Sequence, residues 1–427
     1  MKTQSQTLRD SDFMFLRVKN LWTYFKSESL AFKSICAYMF VEMFRPQSIF
    51  TFLDFLPWAQ LFLGLSLLGV FSDKQAKVRI TGMHVLILLF AIVIHLSFIT
   101  AYDIGWSTRN YIAFNQWVVI FFLITAIVTT KERFYVLFLV FFLCALKIAV
   151  GTARNWAFRG FSFTDWGLRG PPGFFANSGE LAVLMLMLFP IGYYLYFAYK
   201  DDVRTWEKFI LLAAMICPVL TILGASSRGA QVALVVQLAV MFWRKIFNVK
   251  SLLVIVVVAA IGWQVLPKEQ KERFTDIGSD KTSIQRQLYW ENGWEMMKKY
   301  PALGVGYFNF SPYFNDFYPQ DMLYKRVGLP HNIFIQVGTD AGFIALFLFM
   351  MIIALALLKK YKVRISNQNI DKNKLHKFYE ELWKAFKIAI IGFTVAGQFV
   401  TIAYYPFLWI SISFMAAISN LNYSEIK

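Results

Sequence analysis

The chain has 427 residues, of which 58% are hydrophobic, 18% aromatic and 16% charged, and its mean hydropathy is +0.50. Those values exclude a soluble globular protein and fit a polytopic membrane protein. The formal net charge of +17 does not point to nucleic acid, because the basic residues sit in short connections between apolar runs rather than on one soluble face.

A hydrocarbon core about 30 Å thick needs roughly 20 apolar residues of helix at ~1.5 Å rise. In chain order such runs fall at about 29–44, 51–72, 80–101, 111–129, 134–151, 177–198, 209–225, 230–243, 251–266, 332–358, 385–402 and 406–420. The sequence thus predicts an all-α polytopic membrane protein of about 12 transmembrane helices. Residues 1–28 form a basic cytoplasmic N-terminal segment and 29–427 a single transmembrane domain, with no internal repeat and no low-complexity linker. The first residues lack the apolar core and cleavage site of a signal peptide. Cys36, Cys144 and Cys217 lie within the runs at no metal-ligand spacing, so neither a disulfide framework nor a zinc site is read from them.

The connections after the even-numbered runs, such as "DKQAKVR", "YKDDVRTWEK" and "KKYKVRISNQNIDKNKLHK", are densely basic, whereas "DIGWSTRN" carries Arg109 alone. The positive-inside rule then places both termini in the cytoplasm and the odd connections outside, on the periplasmic face of a bacterial inner membrane. Two outer segments are long, 152–176 and 267–331. The second, between helices nine and ten, is aromatic and nearly balanced in charge, as expected of a helical cap lying on the bilayer. Within it "KTSIQRQLYWENGWEMMKKYP" reads as a helix, with Thr282 and Gln285 at capping-box spacing and Pro301 as its stop. Arg286, Trp290, Gly293 and Met297 share one face. "GVGYFNF" is a turn, and no Gly-Lys-Ser/Thr follows that would make it a phosphate loop.

The tenth run starts at His331, which faces outside. On a helix beginning there, Ile335, Gly338 and Gly342 point within about 40° of the histidine, and "GTDAG" lets a neighbouring helix approach that face closely. A helix N-terminus disfavours imidazolium, which favours a neutral, proton-accepting ring. From the residues alone His331 reads equally as a base or as a cap. Arg228, in "GASSRGAQ", is the one charge between Phe209 and Trp243. It implies an anionic partner or a guanidinium reaching lipid phosphate. Arg159 and Arg169 flank "RGPPGFFAN", and Arg286 lies on the cap helix. Arginine forks bind phosphate oxygens two at a time, so these four arginines and a neutral histidine suit a lipid-pyrophosphate substrate. No carboxylate cluster stands on the outer side to hold a metal, and no cofactor motif is read.

At "HNIFIQVGTDAG" (His-Asn, nine residues, Gly), "SSRGA", "RQLYWENGWEMMKKYPALGVGYFNF" and, more loosely, "RGPPGFFANSGELA", the sequence resembles the O-antigen ligase and O-antigen polymerase superfamily, which includes protein O-oligosaccharyltransferases. The resemblance covers about Arg169 to Leu346. It implies a metal-independent, inverting glycosyltransferase that moves a glycan from undecaprenyl pyrophosphate to a periplasmic acceptor hydroxyl, most simply lipid A core in an O-antigen ligase. By that resemblance His331 matches the essential histidine, and Arg228 and Arg286 match recurring arginines. A transporter or flippase of lipid-linked glycans is the alternative of another class, but it would place charges along a path through the helices.

Overall fold

The structure, a computed structural model, describes residues 16–164, 167–246, 248, 264, 271, 278, 280–361 and 370–424. All regular structure among them is helical. In chain order the helices are α1 (Val18–Ser27), α2 (Leu30–Phe44), α3 (Trp58–Val70), α4 (Gly82–Ile99), α5 (Ile104–Ile127), α6 (Lys131–Phe158), α7 (Ser178–Tyr199), α8 (Thr205–Gly224) and α9 (Arg228–Ile246). Then follow α10 (Lys281–Lys299), α11 (Phe310–Phe317), α12 (Ile333–Leu358), α13 (Ile370–Ala396) and α14 (Pro406–Ser424), with short helical turns at Pro46–Ile49 and Thr51–Leu53.

Among the described residues, α4 to α8 and α12 are the six helices long and apolar enough to cross a membrane, while α3 and Pro406–Leu421 are shorter apolar helices. Each expected run overlaps a helix except the ninth, 251–266, nearly all of which lies outside the described residues, as do 1–15 of the N-terminal segment and most of 267–279. Several limits shift. Helix α6 continues to Phe158, so the expected outer segment 152–176 begins with seven helical residues. Helix α13 ends at Ala396, and 397–405 is irregular where a span to 402 was expected. Polar residues set many of the starts. Ser29, Asp103 and Thr130 accept N–H groups from the first turns of α2, α5 and α6, satisfying donors that a helix start leaves open.

Where α2 and α6 begin and α3 ends, Arg133 is fully buried between two carboxylates. It lies 2.7 Å from Glu28 and 2.8 Å from Asp73, and its guanidinium also donates to the Ile127 carbonyl. Burial alone would raise the Asp73 carboxyl, but Arg133, the Gln75 N–H and the Ser29 hydroxyl outweigh it and hold it below its ordinary value. Arg133 lies in the basic stretch "TKER" after the fourth apolar run, yet its charge is cancelled internally.

The outer cap is tied to α12 at a break in that helix. Ala341 and Gly342 leave helical geometry, Gly342 with φ +75°, a conformation that glycine adopts without Cβ strain. The loop after α10 fills the gap: Val305 N–H donates to the Thr339 carbonyl and Phe343 N–H to the Pro301 carbonyl, both at 2.8 Å. Irregular backbone at membrane depth survives only when protein satisfies it in this way. The expected continuous helix from His331 through Gly342 is therefore corrected to a broken one.

Candidate active site at the mouth of the helix bundle

The cap helix α10 lies along the first turns of α12. A Cβ on Gly293 would stand 2.6 Å from Ile335 Cγ2, and one on Gly338 would stand 2.4 Å from Met297 Cε. The expected close approach on the Ile335–Gly338 face is thus made by α10. Its start differs from expectation. Asp280 is the N-cap, accepting from Thr282 N–H and Ser283 N–H at 3.1 Å, so the Thr282–Gln285 box does not form. Gln285 instead holds the cap loop together, donating to the Asp321 carbonyl and accepting from Leu323 N–H.

His331 precedes α12, whose N-cap is Asn332, so the histidine does not itself begin the helix. Its backbone has φ +52°, an unfavourable left-handed conformation for a residue with a Cβ, of the kind that concentrates at functional sites. It is held from two sides. His331 N–H donates to Thr401 Oγ1 at 2.9 Å, Ile333 N–H to the Gly397 carbonyl at 2.8 Å, and Asn332 Nδ2 to Gln398 Oε1 at 3.1 Å. From the cap, Trp290 Nε1 donates to the Pro330 carbonyl at 2.9 Å. The irregular 397–401 segment and α10 thus clamp the chain around the histidine, while its ring makes no hydrogen bond among the described residues.

The ring lines a cavity of about 560 Å³ together with Arg228, Arg286, Asp280, Ser227 and Asn177. Arg228 opens α9. Its guanidinium lies 3.3 Å from Asp280, a carboxylate that also accepts from the Ser283 hydroxyl at 2.6 Å. Burial would raise the Asp280 carboxyl, but Ser283 and Arg228 hold it below its ordinary value. Arg286, in the second turn of α10, has a buried Nε with no hydrogen-bond partner among the described residues. Burial lowers its pKa, and the positive charge of Arg228 lowers it further.

Two guanidiniums that repel each other, Arg286 with an Nε short of an acceptor among the described residues, stand near the Asp280 carboxylate. An incoming anion with several oxygens would relieve both deficits. Beside them the His331 imidazole is pulled down to about 4, first by burial and second by the charge of Arg286. It is neutral at physiological pH, as expected, although the causes are burial and a neighbouring cation rather than a helix dipole. A neutral imidazole next to an anion site can accept a proton from a hydroxyl while the arginines stabilise a departing phosphate.

The structure brings together three of the five residues singled out from sequence. Arg159, which follows α6, and Arg169 are exposed and do not line the cavity. Their connection is tethered elsewhere, with Arg45 Nη1 donating to the Pro172 carbonyl at 2.8 Å. His84 is bonded to Thr81 and Thr125, and His95 to Tyr111. Sequence reading missed Asp280 and the supporting Thr401, Gln398 and Gly397. An aspartate just before "KTS" is itself a helix-start signal and could have revealed the first.

Residues 213–350 match the Wzy_C family model, described as O-antigen ligase. This stretch contains Arg228, Asp280, Arg286 and His331. No curated protein matches the chain.

Proposed function

We propose that this chain, whose residues 213–350 match the O-antigen ligase family model, is an inverting glycosyltransferase that transfers a glycan from undecaprenyl pyrophosphate to an acceptor hydroxyl. The observation that carries the reading is the meeting of His331, Arg228 and Arg286 in one cavity. The arginines bind the pyrophosphate. His331 takes the proton of the acceptor hydroxyl, its oxygen forms a bond to the anomeric carbon from the face opposite the leaving group, and the old carbon–oxygen bond breaks with its electron pair going to the pyrophosphate. Attack from the opposite face inverts that carbon. The arginines act on charge that grows as the bond breaks, where electrostatic stabilisation is most effective.

In this reading the protein is a multi-pass protein of the bacterial inner membrane with about 12 spans, both termini in the cytoplasm and the cavity facing the periplasm. The acceptor is lipid A core, as in an O-antigen ligase. A polymerase or a protein O-oligosaccharyltransferase would use the same donor half with another acceptor. The test is reconstitution of the purified chain with an undecaprenyl-pyrophosphate glycan and, separately, lipid A core, a second lipid-linked glycan and an acceptor protein. Transfer to lipid A core with release of undecaprenyl pyrophosphate is expected. Transfer to none of the three by folded protein would overturn the reading.

A further inference from the structure

A second cavity, of about 250 Å³, opens at the other end of the bundle, where α4 and α14 meet the last turn of α12 and the first half of α13. Its walls are largely apolar, with Leu355, Ile412 and Met415 among them, and no carboxylate among the described residues lines it. Its one charged group among the described residues is a cation. Lys359 caps α12 and lines the cavity, and the charge of Arg79 is close enough to act on it. The first turn of α4, from Gly82, presents the positive end of a helix.

Trp383 lines the same space with 4% of its surface exposed, and its indole N–H has no hydrogen-bond partner among the described residues. Two hydroxyl groups in the lining are already engaged, Thr81 with His84 and Ser419 with the Met415 carbonyl. What the described residues leave without a partner here is the Lys359 cation and the buried Trp383 N–H, beside an apolar cleft. The complementary ligand has an anionic, acceptor-rich head and a hydrocarbon body.

We propose that this cleft is a binding site for an anionic phospholipid, its phosphate at Lys359 and Trp383 and an acyl chain along Leu355, Ile412 and Met415. It lies on the densely basic face of the bundle, the side on which juxtamembrane cations meet anionic headgroups. Helices α12 and α13 reach from this site to the segments that hold His331 and Thr401, so a lipid bound here ties together the far ends of the two helices that frame the histidine.

The test titrates the purified full chain in detergent with dioleoyl phosphatidylglycerol or dioleoyl phosphatidylcholine, reading bound lipid by native mass spectrometry and stability by thermal unfolding. Phosphatidylglycerol should bind and raise the unfolding temperature, and phosphatidylcholine should do neither. Lys359→Gln should weaken phosphatidylglycerol binding by about tenfold, the size expected for loss of a charge-assisted hydrogen bond. Trp383→Phe, which keeps the ring and removes only the N–H, should weaken it severalfold. Lys74→Gln, an exposed cation on the same face, should leave it unchanged. Equal effects of the two lipids would overturn the proposal. So would parental phosphatidylglycerol affinity in both Lys359→Gln and Trp383→Phe, which would assign the preference to the basic face at large.

Discussion

Asp280 caps α10 and, through Oδ2, stands 3.3 Å from Arg228 Nη2, so one carboxylate both starts the cap helix and occupies an arginine of the cavity. A pyrophosphate arriving at Arg228 competes with it. Asp280→Asn keeps a side chain that caps nearly as well while removing the competing charge. We expect Asp280→Asn to bind inorganic pyrophosphate or lipid-linked donor severalfold more tightly than the parent, measured by calorimetry, with little change in unfolding temperature. Asp280→Ala should lose roughly 1 kcal/mol of stability with the cap, which separates the two duties.

Arg228 and Arg286 should prove non-interchangeable with lysine. Lysine preserves the charge but not the planar fork, so Arg228→Lys and Arg286→Lys are expected to fold and insert yet bind donor at least about tenfold more weakly. Arg286→Gln additionally removes the cation that helps depress His331. Normal donor affinity in both lysine variants would leave the cavity without its anion site.

Orientation can be read with cysteines at two exposed positions, Lys281 at the cavity end and Lys374 near the opposite end. An impermeant thiol reagent added to intact spheroplasts should label Lys281→Cys and spare Lys374→Cys. The reverse pattern would turn the molecule over and place the cavity in the cytoplasm.

At the opposite end, Arg133 pairs with both Glu28 and Asp73. Removing the guanidinium leaves two buried carboxylates uncompensated, a loss of about 3–5 kcal/mol. Arg133→Ala should therefore unfold at markedly lower temperature, while the fraction that remains folded binds donor normally. The pH dependence has a definite sign. Asp73 is held below its unfolded-state value, so its contribution is present above the usual carboxylate range and is lost as pH falls through the lower folded value. The stability gap between parent and variant should narrow on acidification.

How far the sequence could be read follows from the range of the forces involved. Apolar run length and helix-start residues are local, so the helices and the Arg286–Met297 face of α10 were legible, as was the small-residue face of α12 that receives it. The break at Ala341 and Gly342 was not, because the groups that satisfy it come from Pro301 and Val305 on the cap. The 397–401 support was hidden for the same reason: "GQFVT" looks like the end of a span until its polar atoms are seen bonded to His331, Asn332 and Ile333. The pairing of Arg133 is hidden as well, because nothing near it in sequence announces Glu28 or Asp73. Arg159 and Arg169 share the cavity's end of the chain order without sharing its space.

The assignment of His331 as general base is the most exposed of these expectations. Its ring is neutral, unbonded among the described residues and adjacent to two arginines, whereas α12 is capped by Asn332 and not by the histidine. Loss of a general base costs about 10²–10⁴ in rate, or roughly 3–5 kcal/mol of barrier, while loss of a purely structural side chain would appear in the unfolding temperature. His331→Ala should thus be nearly inactive in glycan transfer, as thermally stable as the parent, and still able to bind donor. The pH profile adds an independent check. A base must be unprotonated, so transfer by the parent should persist through pH 6 and fall only near about 4, where the ring takes up its proton. Arg286→Gln, with one of the two depressing causes removed, should move that acid limb upward even as it weakens donor binding. An acid limb at the ordinary histidine value of about 6.5 in the parent, or near-parental transfer by His331→Ala, would take the proton-accepting role away from this residue.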